Sequence, residues 1–150
     1  MTTIYTVKVH NNNGTKEWYL DDKRHRIDGP AVEHASGNKY WYQDGKLHRI
    51  DGPAIEDADG SKHWFLNDKR HRIDGPAIEY ADGGKEWWLD DNLHRIDGPA
   101  IEDADGSKHW YLDGNKLTQA QWLEAVKPKV TSCAGKLVEV DGVKYKLVAA

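Results

Sequence analysis

Ile55 to Ala77 reads IEDADGSKHWFLNDKRHRIDGPA and holds one full period of the repeat that decides the fold. Its last seven residues, HRIDGPA, occur at His25 to Ala31, His48 to Ala54, His71 to Ala77 and His94 to Ala100, always 23 residues apart. A fixed period of this length marks an array whose units pack on their neighbours. In the same register Gly14, Gly37, Gly60, Gly83 and Gly106 form one column, and Trp18, Trp41, Trp64, Trp87 and Trp110 form another. Ile55 to Trp64 recurs letter for letter as Ile101 to Trp110, and Arg24 and Arg70 alternate with Leu47 and Leu93 before each histidine. Odd and even units therefore differ.

Within the unit the local signals are for strands. IEDA runs into Asp59-Gly60, SKHWFL follows, and Asn67-Asp68 stands where Asp44-Gly45 stands one unit earlier. Asp-Gly between alternating runs is a strong hairpin signal. A two-residue loop there sets Ala58 against Ser61, Asp57 against Lys62, Glu56 against His63 and Ile55 against Trp64. Alternation then places Ile55, Trp64 and Leu66 on a core face and Glu56, His63 and Phe65 on the other. This register also opposes Glu79 to Glu86, a like-charge pair that costs stability. Ile-Asp-Gly-Pro is expected to turn the chain into the next unit, since Pro opens a strand where its missing N–H does least harm.

The prediction is a mostly β fold: an antiparallel meander of 23-residue repeats in one elongated sheet, with a C-terminal helix and hairpin as cap. Equivalent residues of neighbouring units would lie about 10 Å apart. One domain spans residues 1–150, divided into an N-terminal strand and partial unit (1–24), four repeats (25–117) and the cap (118–150). Ile4 to Val9 alternates as a strand, with Val9 aligned to Val32. Thr118 and Gln121 form a capping box for a helix that Pro128 ends. Lys136 to Val140 and Val143 to Val148 flank Asp141-Gly142 as a last hairpin, and Trp122, Leu123 and Val126 are expected to cover the end of the core.

Composition sets the frame. The chain has 150 residues and a net charge of −4, with seven Trp, seven Tyr, one Phe and one Cys. Leu, Ile, Val and Phe total only 28, so Trp and Tyr must supply buried area. A weakly acidic balance argues against general nucleic-acid or anionic-membrane binding. No apolar run suits a membrane span or a signal peptide, which leads to the expectation of a cytoplasmic protein, in the host cytoplasm if it is viral. Cys133 has no partner for an internal disulfide and reads as an ordinary thiol.

The order Trp41, Asp44, Gly45, Lys46, His48, then Asp59-Gly60, resembles that of MORN repeats, in the variant arrays of bacteria, phages and large viruses. The resemblance covers residues 5–117. It departs where Arg49, Ile50 and Asp51 separate His48 from Gly52, and where the family's Tyr-x-Gly-x-Trp start is absent. It implies a β-meander scaffold for protein contacts or, in some members, lipid contacts, with no catalytic residues.

Two columns are candidate sites. The residue after each column Trp, namely Tyr19, Tyr42, Phe65, Trp88 and Tyr111, points away from the Trp face by alternation. With His63, Glu86 and His109 these form an aromatic, charged surface of the kind found at protein interfaces. A covered face is the alternative. In HRIDGPA the plain reading is structural: Asp accepts from turn amides, His packs on Trp, and Arg spans neighbours. The alternative is an Arg ladder (Arg26, Arg49, Arg72, Arg95) for an extended anion. Histidines about 10 Å apart cannot share a metal, and no metal or cofactor is expected. Neither a nucleophile elbow nor a P-loop, CxxC pair or HExxH occurs, so no enzyme is expected.

The leading expectation is a non-enzymatic protein-binding scaffold. The resemblance adds a phage or prophage factor that binds and inhibits a host enzyme or defence protein. The alternative is a sink for an anionic small molecule or nucleotide held by Arg and aromatic columns, as a dimer. Open sheet edges favour a homodimer through an edge or face, although Lys8 charges the first strand against such pairing.

Overall fold

The structure, a computed structural model, describes residues 5–10, 13–127, 137–140 and 143–146. It is mostly β. Twelve strands form one antiparallel sheet, and three two-stranded ribbons, such as Phe65–Leu66 with Lys69–Arg70, run alongside it. The α1 helix (Gln119–Val126) follows, and Leu137–Val140 pairs with Val143–Lys146. Cys133 and Pro128 lie outside the described residues, as do Lys136 and Asp141-Gly142 of the last hairpin.

The hairpin register differs from the expected one by one residue. Ile55 pairs with His63 and Glu56 with Lys62. The loop holds three residues, not two, because the Asp57 N–H donates to Ser61 O at 2.9 Å, and Gly60 N–H donates back to Asp57 O at 3.0 Å. Gly60 sits at φ +97°, left-handed space that other residues resist. Asp59 Oδ1 accepts from Ser61 N–H at 2.8 Å, which holds its carboxyl below the ordinary range.

That shift moves Ile55 to the face of His63 and Glu56 to the face of Trp64. It also removes the like-charge pair: Glu79 pairs with Lys85 and Ile78 with Glu86. Lys16, Glu33, Lys39, Glu56, Lys62, Glu79, Lys85, Glu102 and Lys108 now stand side by side, alternating in sign at every step across the sheet. Opposite charges across strands are the favourable case.

The two-residue turns are the other ones. Asn67 and Asp68 have φ of +52° and +67°, and Asp44 and Gly45 have +50° and +82°. Two successive positive φ values are the type I′ geometry that matches strand twist, and Asn and Asp tolerate it better than most side chains.

Nor does the Ile-Asp-Gly-Pro step reverse the chain. Trp64 N–H donates to Ala77 O at 2.8 Å, while Trp64 O accepts from His71 N–H at 3.1 Å. Both ends of the segment thus meet the same tryptophan. Arg72 to Pro76 is a loop thrown out from one return strand, which resumes at Ala77 and pairs on through Ile78 with His63.

The core is thin. Ala31, Ala54, Ala77 and Ala100 are fully buried beneath these loops, joined by Val32, Ile78 and Trp122. The column tryptophans, expected as the core, are half-buried. At the C-terminal end Trp122 is buried as expected, but Leu123 is exposed. Thr118 caps α1 in a capping box with Gln121. At the N-terminus Thr6–Val9 pairs with Lys16–Leu20, Val9 opposite Lys16. Since Lys39 faces Glu33, Val9 occupies the place of Glu33, not that of Val32.

Candidate interaction site

The sheet presents two unlike faces. On the first, each HRIDGPA arginine folds back over its own loop and bridges units, reaching from the Trp before the loop to the Glu after it. Arg72 Nε donates to Asp74 Oδ1 at 2.9 Å, and Nη1 donates to Pro76 O at 3.1 Å and Glu79 Oε1 at 2.9 Å. Its guanidinium lies 4.0 Å from the Trp64 ring centroid. Arg26, Arg49 and Arg95 repeat the arrangement over Trp18, Trp41 and Trp87 at 4.2, 4.1 and 3.7 Å. Stacked cations close the tryptophans where a second layer would otherwise be needed.

Within this staple both Nε and Nη1 of each arginine have acceptors in the chain. The hydrogen bond and charge of Arg26, Arg49 and Arg72 hold the carboxyls of Asp28, Asp51 and Asp74 below their usual range; burial adds a weak opposing pull. The glycine completes the fit, for a Cβ on Gly75 would stand 3.0 Å from Arg72 Cζ.

Each histidine links its unit to the next. His25 Nδ1 lies 3.1 Å from Asp44 Oδ1, His71 Nδ1 is 3.0 Å from Asp90 Oδ1, and His94 Nδ1 is 2.8 Å from Asp113 Oδ1. These are ties to neighbouring turns, 19 residues on. Among the described residues no group of three or more His, Cys, Asp or Glu is arranged to hold a metal.

The second face carries the aromatic column. Tyr19, Tyr42, Phe65, Trp88 and Tyr111 are all half-buried and pair across their hairpins with Arg24, Leu47, Arg70, Leu93 and Lys116 respectively. Arg70 reaches over the Trp88 ring at 3.6 Å and Arg24 over Tyr42 at 5.5 Å. Tyr40, His63, Glu86 and His109 stand on this face too, in line with Val32, Ile55, Ile78 and Ile101. The Trp88 indole donates to Glu86 Oε2 at 2.7 Å, which fixes the two side chains together.

Across each three-residue loop the facing pair changes identity. His34 packs edge-on against Tyr40 with centroids 5.4 Å apart, Asp57 meets His63 at 3.0 Å, Tyr80 donates to Glu86 at 3.0 Å, and Asp103 meets His109 at 3.2 Å. Burial, with the charge and hydrogen bond of Glu86, pushes the Tyr80 phenol up to about 12. In the first unit Glu17 is buried, which opposes its ionisation, yet the donors Tyr19, His10 and Arg24 outweigh that and lower its carboxyl. Lys8 lays its ammonium 4.2 Å over the Tyr19 ring.

Sequence reasoning missed one column. Ile27, Ile50, Ile73 and Ile96 stand at the loop tips, 69, 83, 86 and 66 % exposed. The signal was available: an Ile held between Arg and Asp-Gly-Pro belongs to a turn, outside the strand alternation that buries apolar side chains.

The long antiparallel meander of short strands is compatible with a MORN-like repeat. No family model matches the chain, and no curated protein matches it. No helix among the described residues is long and apolar enough to cross a membrane.

Proposed function

We propose that the chain is a non-enzymatic repeat scaffold that binds another protein through the aromatic face. One observation carries this reading. The units differ from each other mainly on that face, where His34, Asp57, Tyr80 and Asp103, then Tyr40, His63, Glu86 and His109, then Tyr42, Phe65, Trp88 and Tyr111 occupy equivalent positions. The opposite face repeats Glu, Lys, Trp, Arg, Ile, Asp, Gly and Pro in each of the four units. A lattice that only had to fold could be uniform on both sides. Aromatic anchors set among charges are also the composition of protein-binding hot spots.

The arginines weigh against the anion sink, because their Nε and Nη1 donors serve the loops that hold them. The proposal of a phage or prophage factor acting on a host enzyme or defence protein rests on the family resemblance. Affinity capture from host lysate, read by mass spectrometry, tests the surface. Tyr42→Ala and Trp88→Ala should abolish capture of the partner while Ile50→Ser retains it, all three keeping the wild-type circular dichroism. Undiminished capture by the two aromatic variants overturns the assignment. Light scattering of the same preparation reads whether the exposed edge Thr6–Val9 pairs with a second copy.

A further inference from the structure

The two ends of the sheet are finished differently. At the C-terminal end α1 packs on Lys108–Leu112 and Asn115–Leu117, with Trp122 buried and its indole N–H donating to Arg95 O at 2.8 Å. At the N-terminal end the last strand is Thr6–Val9, paired on one side with Lys16–Leu20, and no described strand lies beyond it. All of its residues are exposed, Val7 by 47 % and Val9 by 56 %. Tyr5, just before it, is anchored: its ring stacks on His25 with centroids 6.4 Å apart, and its hydroxyl accepts from Ile27 N–H at 3.4 Å.

The hydrogen bonds of Trp18 fix which backbone groups of this edge are free. Trp18 stands opposite Val7, yet its N–H donates to Ala31 O at 2.8 Å and its O accepts from His25 N–H at 3.0 Å, both on the side away from Val7. Residues opposite each other in an antiparallel pair exchange both bonds or neither. Val7 therefore points its N–H and C=O out of the sheet, and by alternation so do Tyr5 and Val9. Edges of this kind are normally guarded by outward charge. Here the polar side chains turn inward instead: Lys8 holds its ammonium 4.2 Å over the Tyr19 ring, and His10 Nε2 lies 3.3 Å from Glu17 Oε2.

We propose that two chains join at this edge, Thr6–Val9 against Thr6–Val9 of a second copy, antiparallel and with Val7 on the two-fold axis. The strand is complementary to itself. Only Tyr5, Val7 and Val9 face outward, so the possible registers set Val7 opposite Val9, Tyr5 or Val7 of the second copy. Val7 opposite Val9 brings Lys8 against Lys8, a like-charge pair. Val7 opposite Tyr5 carries Val9 past the end of the facing strand. Val7 opposite Val7 avoids both: Lys8 meets Thr6, Tyr5 meets Val9, and an apolar row flanked by the two Trp18 rings crosses the axis on the loop face. Because α1 covers the far end of each sheet, the assembly closes as a pair and does not grow head to tail. The contact does not depend on what the aromatic face binds.

Sedimentation of the full chain over a range of concentrations tests this. So small a contact is at the weak end of interfaces, so the mass should rise from 17.1 kDa to twice that value with a dissociation constant of about 10–100 µM. Val7→Pro removes only an N–H that points outward, which an edge strand tolerates, and should leave a monomer with the wild-type circular dichroism. Val7→Lys and Val7→Glu, each alone, should weaken association at least about tenfold by setting like charges on the axis. Mixed together they should restore it, because position 7 meets its own copy; this pair of variants carries the test if the proline variant does not fold. Tyr42→Ala, on the aromatic face, should dimerise as the wild type does. A wild-type chain that stays monomeric would leave the edge to a strand of another protein and overturn the proposal. So would a mass beyond two chains, a dimer that survives Val7→Pro, or a Lys and Glu mixture no better associated than either variant alone.

Discussion

On the loop face every unit makes the same contacts at nearly the same distances; on the aromatic face no two successive units do. Arg26, Arg49, Arg72 and Arg95 each meet one Asp, one Pro carbonyl, one Glu and one Trp. On the other side the pair across the hairpin is His with Tyr, then Asp with His, then Tyr with Glu, then Asp with His. The difference teaches how a sheet one layer thick stays folded. Stability is concentrated in a staple that each unit repeats without change, and this leaves the opposite surface free to vary. The alternating Lys and Glu row belongs to the stapled side, where each Glu also receives its arginine.

Removing a staple is the hardest test of that division. Arg72→Ala leaves Glu79 and the Trp64 ring without their cation, and hydrogen bonds to charged groups are worth roughly 1.5–3 kcal/mol. A loss of about 3 kcal/mol is expected in urea unfolding, and Arg72→Lys should recover little, since an ammonium cannot fork to three acceptors and stack at once. Arg70→Ala, on the aromatic face, should cost about 1 kcal/mol or less, the range of an exposed cation–π contact and surface ion pair. Equal losses would break the comparison.

Gly75→Ala probes the same staple from its other side. Gly75 has no positive φ, so only space is at issue, and the new Cβ would meet Arg72 Cζ at 3.0 Å. Were Arg72 free its side chain would swing aside, but three acceptors and a ring hold it. The expected cost is about 1–2 kcal/mol, typical of overpacking. In an Arg72→Ala background the same substitution should cost close to nothing, so the double-mutant cycle should show strong coupling.

Much of this was legible in the sequence. The period, the glycine column at positive φ, the helix with its Thr118 box and the aromatic column opposite the tryptophans all follow from residues whose local chemistry points one way. The register does not, because Asp59-Gly60 suits a two-residue and a three-residue loop equally. Longer-range evidence was present: Glu79 against Glu86 is unfavourable, whereas a shift of one turns four separate Glu and Lys pairs, six residues apart in every unit, into a single alternating row. The loop fold of Arg72 to Pro76 was hidden for another reason. Its stability comes from a side chain curling onto its own loop and a preceding Trp, and no periodicity records such a contact.

Acid should act on the loop face through its stapled carboxyls, and on the other face through Glu17 and Asp91, whose carboxyls are also lowered. Asp51 and Asp74 have carboxyls held below the ordinary 3.8 by the Arg49 and Arg72 hydrogen bonds and charges. A lowered folded value means the contribution is present in full above the unfolded value and is lost as pH falls through the folded one. Melting temperature should therefore drop below about pH 4. Asp51→Asn with Asp74→Asn should flatten that slope while lowering stability only slightly at pH 7, both carboxylates being surface groups. An unchanged slope would remove these two staples from the acid response.

Alkali should act on the aromatic face, and more gently. Tyr80 is raised to about 12 from an ordinary 10, with burial the leading cause and Glu86 beside it adding to the effect. The raised value means the stabilising contribution is complete below pH 10 and is lost as pH climbs toward 12. At pH 11 the folded chain should thus keep Tyr80 protonated, seen as a phenol missing from the ultraviolet titration until unfolding releases it, alongside Tyr19, which its hydrogen bond to Glu17 also raises. Tyr80→Phe should remove that late phenol and, because the hydroxyl belongs to only one of the varied pairs, leave the staples of the opposite face and their acid response as they were. A change in the acid slope on Tyr80→Phe would mean that the two faces are energetically coupled through the sheet.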